Sequence, residues 1–132
     1  MTRLLFSLSL LCLTSPAVCL AEEPTSGVWV MDYDSELDGD LKAKGKVEWR
    51  VAFKNGRAVG SLASRDADDP KGHQLAGEVA DGKTPILTLR QDGPNGLVCF
   101  YTGKRAEDGA YVGTWYDNRG GTGDFRFNPP AE

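Results

Sequence analysis

The segment KVEWRVAFKNGRAVGSLAS, residues 46–64, decides the fold of this chain. Apolar and charged side chains alternate over residues 46–54, and a period of two sends one set to a core and the other to solvent, which predicts a strand. Asn55-Gly56 follows and suits a type I′ turn, because both central residues of that turn need a positive φ. A return strand over residues 57–64 completes a predicted β-hairpin.

The same pattern of short strands and turn residues continues through the rest of the chain. Turns are predicted at Asp81-Gly82, 93–96, Asp108-Gly109 and 120–123. Residues 22–132 contain no window with the i, i+3, i+4, i+7 spacing of an amphipathic helix, which argues against parallel βαβ folds and their dinucleotide sites. The remaining strands are predicted over residues 28–33, 74–79, 86–91, 97–102, 111–116 and 124–127.

About eight short strands joined in sequence predict an all-β fold. Our first choice is an antiparallel up-and-down β-barrel, because closure removes the exposed edges of an open sheet. A β-sandwich is the second choice. Gly60 and Gly113 each follow a valine within a strand, and we expect bends or close backbone approaches there.

The N-terminal segment has the order of a secretory signal peptide. Arg3 precedes an apolar run over residues 4–13, which is too short to cross a bilayer as a helix. Small residues at Cys19 and Ala21 suit cleavage after Ala21, so we predict a signal peptide over 1–21 and a single barrel domain over 22–132. The protein is then exported, either periplasmic or secreted. Cleavage would leave Cys99 as the only cysteine, so we expect no intrachain disulfide.

Composition and missing motifs argue against several classes of function. A net charge of −4 argues against nucleic-acid binding, and a single histidine argues against a His-rich metal centre. The sequence contains no Gly-x-Ser-x-Gly, His-Glu-x-x-His or Gly-x-x-x-x-Gly-Lys-Ser/Thr motif. We therefore expect no cofactor, no enzymatic activity, and neither a nucleic-acid nor a membrane partner after signal cleavage. We expect a monomer.

Two Gly-x-Trp units carry a resemblance to known barrels. Gly27-Val28-Trp29 resembles the start of lipocalin-like barrels, where the tryptophan plugs the closed end. Residues 113–118, GTWYDN, are similar to the opening strand of avidin-like barrels of the calycin group. Here they form the next-to-last predicted strand, so the biotin ligands are not carried over. The layout, including the tail over 113–127, also resembles small secreted bacterial domains of unknown function, which implies a lipocalin-like fold and no particular activity.

The aromatic residues are the candidate ligand-binding set. Eight strands leave an interior just wide enough to be filled by side chains or to hold one small ligand, and the many large rings favour a filled core. If a cavity exists, we expect Trp29, Trp49, Tyr111 and Trp115 as its stacking walls, with Arg90 and Arg126 presenting charge at its rim. By alternation, the rings expected to face inward are Trp29, Trp49, Phe53, Tyr101 or Phe100, Tyr111, Trp115 and Phe125.

A group of acidic residues is a candidate calcium-binding site. Carboxylates at alternating positions suit Ca²⁺, but an EF-hand starting at the first of them would have Leu37 and Ala43 in its glycine and closing-glutamate positions. We therefore expect a solvated turn beside the nearby lysines. The acidic residues are Asp32, Asp34, Asp38 and Asp40.

Two further sets of residues are candidates for catalysis. Cys99 would need a nearby base, and nothing in the sequence ties His73 to it, so we expect a small core residue. Asp117 and Asp124 form a carboxylate pair of the kind that hydrolases use, although 19 acidic residues produce such pairs by chance.

The predicted function is that of a non-catalytic binding domain that buries a small apolar or aromatic ligand at the open end of the barrel. The alternative is a protein-interaction or inhibitor module that contacts another exported protein through loops over 31–45 and 64–73. A hydrolase acting near Asp117 is a third hypothesis.

Overall fold

The computed structural model describes residues 23–37, 41–63 and 72–131. Eight strands, each antiparallel to its neighbours, follow in sequence, and the last pairs with the first to close a barrel. This confirms the predicted fold class and excludes the β-sandwich. The predicted signal peptide lies outside the described residues. The strands are β1 Gly27–Leu37, β2 Leu41–Lys54, β3 Arg57–Leu62, β4 Gln74–Ala80, β5 Ile86–Asp92, β6 Val98–Arg105, β7 Tyr111–Asp117 and β8 Thr122–Asn128, with a 3₁₀ turn over Pro94–Gly96.

The hairpin formed by β2 and β3 follows the sequence pattern that predicted it. Asn55 and Gly56 have φ values of 54° and 78°, as a type I′ turn requires. Val51 and Phe53 are buried, whereas the alternate side chains are exposed. In the part of the chain that the structure describes, no helix is both long and apolar enough to span a membrane.

The segment over 31–45, which we expected to form a loop, is largely a continuation of β1 and β2. The register places Asp32 opposite Lys46 and Asp34 opposite Lys44. Opposite charges facing each other across two strands stabilise the pairing, and Asp32 lies 3.7 Å from Lys46. The low strand propensity of aspartate, lysine and glycine hid this extension in the sequence.

Alternation along the strands places apolar side chains inside the barrel, where they form one continuous core. The expected inward rings are buried, and Tyr101 rather than Phe100 takes the interior position on β6. Phe127 joins them, although the sequence pattern did not mark it. The buried core residues are Trp29, Met31, Trp49, Val51, Phe53, Ala58, Leu75, Leu87, Leu89, Cys99, Tyr101, Tyr111, Trp115, Phe125 and Phe127.

The two glycines expected at bends differ in how tightly they are packed. A Cβ on Gly113 would overlap the carbonyl oxygen of Thr102 on β6, so only glycine fits that backbone approach. The close approach expected at Gly113 is therefore present. A Cβ on Gly60 would meet its nearest neighbour, the carbonyl oxygen of Arg50, at 3.1 Å, a looser contact.

The two ends of the barrel are built differently. One end, which we call the terminal end, carries the turns at 55–56, 81–85 and 106–110 and the chain segments 23–26 and 129–131. The opposite end, the loop end, carries the turns at 93–97 and 118–121. The connections at 38–40 and 63–73 also leave from the loop end, and most of their residues lie outside the described part.

Candidate functional site

Trp29 seals the terminal end of the barrel. Its side chain is only 1% exposed, and its indole Nε1 donates a hydrogen bond of 2.8 Å to the carbonyl oxygen of Thr25. The ring stacks on Phe127 with centroids 4.9 Å apart and packs against Phe53 at 5.3 Å. Such a tryptophan plug after a Gly-x-Trp start is consistent with a lipocalin-like fold.

The other three residues expected as cavity walls are also interior. Trp115 donates a hydrogen bond of 2.9 Å from Nε1 to the carbonyl oxygen of Asp34. Trp49 is 1% exposed, and its Nε1 has no hydrogen-bond partner among the described residues. Tyr111 lies 6.1 Å from Trp29, ring to ring. All four rings therefore belong to the buried core of the barrel.

The two arginines expected at the rim lie elsewhere, which corrects their placement. Strand alternation turns Arg90 and Arg126 to the outer wall, because their neighbours in sequence fill the interior. Arg90 bonds to Asp92 and lies 5.8 Å over the ring of Phe100. Arg126 forms an ion pair with Asp108. A ligand inside the barrel would not meet either guanidinium.

Cys99 lies in a buried polar group but does not contact His73. The Tyr101 hydroxyl donates to Oε1 of Gln91 at 2.5 Å, and Nε2 of Gln91 lies 3.2 Å from Nδ1 of His73. Burial raises the pKa of the Cys99 thiol, and the charge of Asp117 raises it further. Since the thiolate is the nucleophile, this environment favours the inert core cysteine that we expected.

The free energy of unfolding is expected to fall as the pH rises above about 10. Burial, followed by the neighbouring Cys99 and Tyr33, raises the pKa of Tyr101 far above its ordinary value of 10.0. The folded state then keeps a proton that the unfolded chain has released, so stability is complete below pH 10 and declines above it by up to about 1.4 kcal/mol per pH unit.

Urea unfolding between about pH 9 and pH 11 measures this effect. Tyr101→Phe is expected to make the dependence shallower, while Cys99 and Tyr111, whose pKa values are also raised, retain part of it. Tyr116→Phe, which alters an exposed tyrosine, should leave it unchanged. A stability that does not vary over this interval in the unmodified protein would contradict the prediction.

The acidic residues that are candidates for calcium binding or hydrolysis lie in different surroundings, although Asp32, Asp34 and Asp124 line one hollow of the outer wall. Asp32 accepts a hydrogen bond of 3.0 Å from Nδ2 of Asn128 besides contacting Lys46. Asp38 and Asp40 lie outside the described residues. Asp117 has the strand parity of buried Trp115, whereas Asp124 is exposed on the outer face. No three His, Cys, Asp or Glu side chains within 23–37, 41–63 and 72–131 are placed to hold a metal ion.

A concave site lies at the terminal end, and we call it the terminal depression. It consists of two adjoining hollows of about 550 and 480 Å³, which share Glu23, Pro24, Arg105 and Tyr111 as lining residues. Glu23 holds the N-terminal segment across this end, because its Oε1 accepts a hydrogen bond of 3.1 Å from the amide of Gly56. Trp29 and the segment 129–131 line the second hollow.

The terminal depression has an apolar floor and a charged rim, and polar and apolar atoms contribute about equally to its surface. Tyr111, Val79 and the prolines Pro24 and Pro85 supply apolar surface, whereas charge comes from a second set of lining residues. Among the residues that the structure describes, this second set forms no salt bridge. Its members are Glu23, Arg57, Glu78, Asp81 and Arg105.

Two of these charges act on the same group. Burial raises the pKa of the Tyr111 hydroxyl, the positive charge of Arg105 lowers it, and the negative charge of Asp81 raises it. A cation and an anion therefore lie near one phenol at the base of the depression. Arg57 and Glu78 face each other across β3 and β4.

Sequence patterns identified Tyr111 and Trp29 but not the charged residues beside them. Arg57, Glu78, Asp81 and Arg105 stand at or near strand ends and turns, where charge is ordinary, and they come from three separate segments of the chain. No protein-family model matches the chain, and none of the curated proteins matches it. The geometry of the site therefore carries the functional argument alone.

Proposed function

We propose that this chain is an exported, non-catalytic binding domain that holds a small, mainly apolar or aromatic molecule in the terminal depression. The observation that carries the proposal is the concave surface over Tyr111, which combines an apolar floor with rim charges that form no salt bridge among the described residues. Small-molecule sites are concave, mostly apolar and provided with a few polar groups that fix orientation. Hollows of about 550 and 480 Å³ lie within the size range of such sites.

The site differs from the lumen site that the aromatic pattern suggested. Rings fill the interior next to the terminal end, where Trp29 packs against both Phe53 and Phe127. A ligand over Tyr111 needs no rearrangement of that core. Export rests on the signal-peptide features of residues 1–21.

The two alternative functions have less support. The hypothesis of an interaction or inhibitor module requires loops over 31–45 and 64–73. Most of 31–45 is instead paired strand, and 64–71 lie outside the described residues. A hydrolase was to use Asp117, whose Oδ1 instead accepts hydrogen bonds from the amides of Arg119 and Gly121. That carboxylate therefore stabilises the turn between β7 and β8.

Titration of the ¹⁵N-labelled protein with 3-phenylpropionate tests the proposal. This probe offers an aromatic ring for the floor and one carboxylate for a rim arginine. We expect binding with a dissociation constant on the order of 1 mM, as for a ligand of few atoms. Amide resonances of Gly56, Val79 and Tyr111 should move, whereas those of Gly96 and Gly121 at the loop end should not.

Two tryptophan substitutions in one turn provide matched variants. Asp81→Trp places a large side chain in the depression and is expected to abolish the shifts, whereas Lys83→Trp, in the same exposed turn but outside the lining, should retain them. Shifts confined to the loop end would place the ligand there instead. If 3-phenylpropionate, phenethylamine and L-phenylalanine all leave the terminal-end resonances unmoved up to about 10 mM, the proposed function is wrong.

A further inference from the structure

We infer, as an extension of the proposed function, that the terminal depression selects small zwitterions. The expected ligand has an aromatic or apolar body and carries an ammonium and a carboxylate close together, as a free α-amino acid does. The juxtaposition behind this inference is a cation, Arg105, and an anion, Asp81, neither of which forms a salt bridge with another described residue, beside the buried ring of Tyr111.

The backbone fixes where the cation projects. Arg105 is the last residue of β6 and has the same strand parity as inward-facing Tyr101 and Gly103. Its amide donates a hydrogen bond of 3.0 Å to the carbonyl oxygen of Pro85. The side chain therefore extends over the terminal end of the barrel instead of over its outer wall.

The anion reaches the same place from the neighbouring hairpin. Asp81 follows the last residue of β4 and begins the turn that returns to β5 through Pro85. It is exposed, as the residues of this turn are, and it lines the larger hollow together with Arg105 and Tyr111. The opposite charges thus stand on adjacent turns above one aromatic ring.

Two charges of opposite sign favour a ligand that carries both. A simple carboxylate would bind Arg105 but would be repelled by Asp81 and Glu78. A simple amine would bind these acidic residues but would be repelled by Arg105. A zwitterion satisfies both groups with charge-assisted hydrogen bonds, which are stronger than neutral ones. Charge complementarity of this kind sets specificity as much as affinity.

Tyr111 lies at the base of the depression. It is protonated at neutral pH, as tyrosines ordinarily are, and burial raises the pKa of its hydroxyl further. Its ring is almost fully buried and packs against Trp29, so the floor under the ligand is rigid.

Three probes that share one phenyl ring test the inference. L-Phenylalanine carries both charges, 3-phenylpropionate lacks the ammonium, and phenethylamine lacks the carboxylate. We expect L-phenylalanine to bind about tenfold more tightly than either analogue, which is the gain of one additional charged hydrogen bond. The measurement is the dissociation constant from NMR titration of the terminal-end amides at pH 7.

Variants that each remove one charge should show which residue binds the carboxylate of the ligand and which binds its ammonium group. Arg105→Gln is expected to weaken the binding of L-phenylalanine about tenfold and to leave the binding of phenethylamine unchanged. Asp81→Asn is expected to weaken the binding of L-phenylalanine and not to weaken the binding of 3-phenylpropionate. Lys104→Gln and Lys83→Gln, at exposed neighbouring positions outside the lining, are the matched controls and should change nothing.

The outcomes separate this inference from the proposed function. Equal binding of L-phenylalanine and 3-phenylpropionate at the terminal end would overturn the zwitterion inference and leave the small-molecule site intact. Equal binding of all three probes would show that the rim charges do not contribute to binding, and this result would also overturn the zwitterion inference. Absence of binding by every probe would overturn the proposed function itself.

Discussion

Replacement of Trp29 by alanine is expected to lower the free energy of unfolding by about 3–5 kcal/mol, the range for truncating a large buried aromatic side chain. The ring is 1% exposed and contacts Phe53, Phe127 and Tyr111. Its removal leaves a cavity at the sealed end of the barrel and leaves the carbonyl oxygen of Thr25 without its indole donor. Urea unfolding followed by far-ultraviolet circular dichroism gives the change in stability.

Two variants make this measurement specific. Trp29→Phe retains a ring in the stack but loses the indole hydrogen bond. Its free energy of unfolding should therefore decrease less than that of Trp29→Ala. Val59→Ala, on the outer wall of β3 with 63% of its side chain exposed, should change stability by no more than about 0.5 kcal/mol. If Trp29→Ala costs less than about 1 kcal/mol, the terminal end does not belong to the cooperative core.

The same alternation that buries Trp29 explains why the barrel was predictable from the sequence. Each strand has one apolar face, and turn residues such as Asn55 and Gly56 set the register locally. The extension of β1 and β2 was not predictable in this way. Residues of opposite charge face each other in this extension, such as Asp34 opposite Lys44, and this match is visible only once the register is known.

The candidate site was predictable only in its aromatic part. Tyr111 and Trp29 follow from alternation, because a period of two assigns each ring to the interior. Arg105 and Asp81 lie beyond the strands predicted over 97–102 and 74–79, so the sequence pattern assigned neither side chain to a face of the sheet. Their proximity depends on how neighbouring hairpins stand beside each other at the rim, which is a property of the closed barrel and not of any one segment.

Gly113→Ala is expected to destabilise the barrel by about 3 kcal/mol or more, at or beyond the upper end of the usual cost of overpacking. Gly113 lies directly opposite Gly103 on β6 and opposite Phe125 on β8. An added Cβ would overlap the carbonyl oxygen of Thr102 and would lie 2.6 Å from the Cα of Gly103. These are backbone atoms, so relief requires two strands to move apart.

Separation of β6 and β7 would also disturb the core, since a Cβ at Gly103 would already lie 2.8 Å from the ring of Phe125. The two glycines thus allow the strands to coil closely enough for that ring to pack beneath them. Gly82→Ala is the matched control, because its Cβ would meet nothing nearer than 3.9 Å and its effect should stay within about 0.5 kcal/mol. Equal unfolding midpoints for the two alanine variants would show that β6 and β7 are not held this closely in solution, and the packing of Phe125 against them would then need another cause.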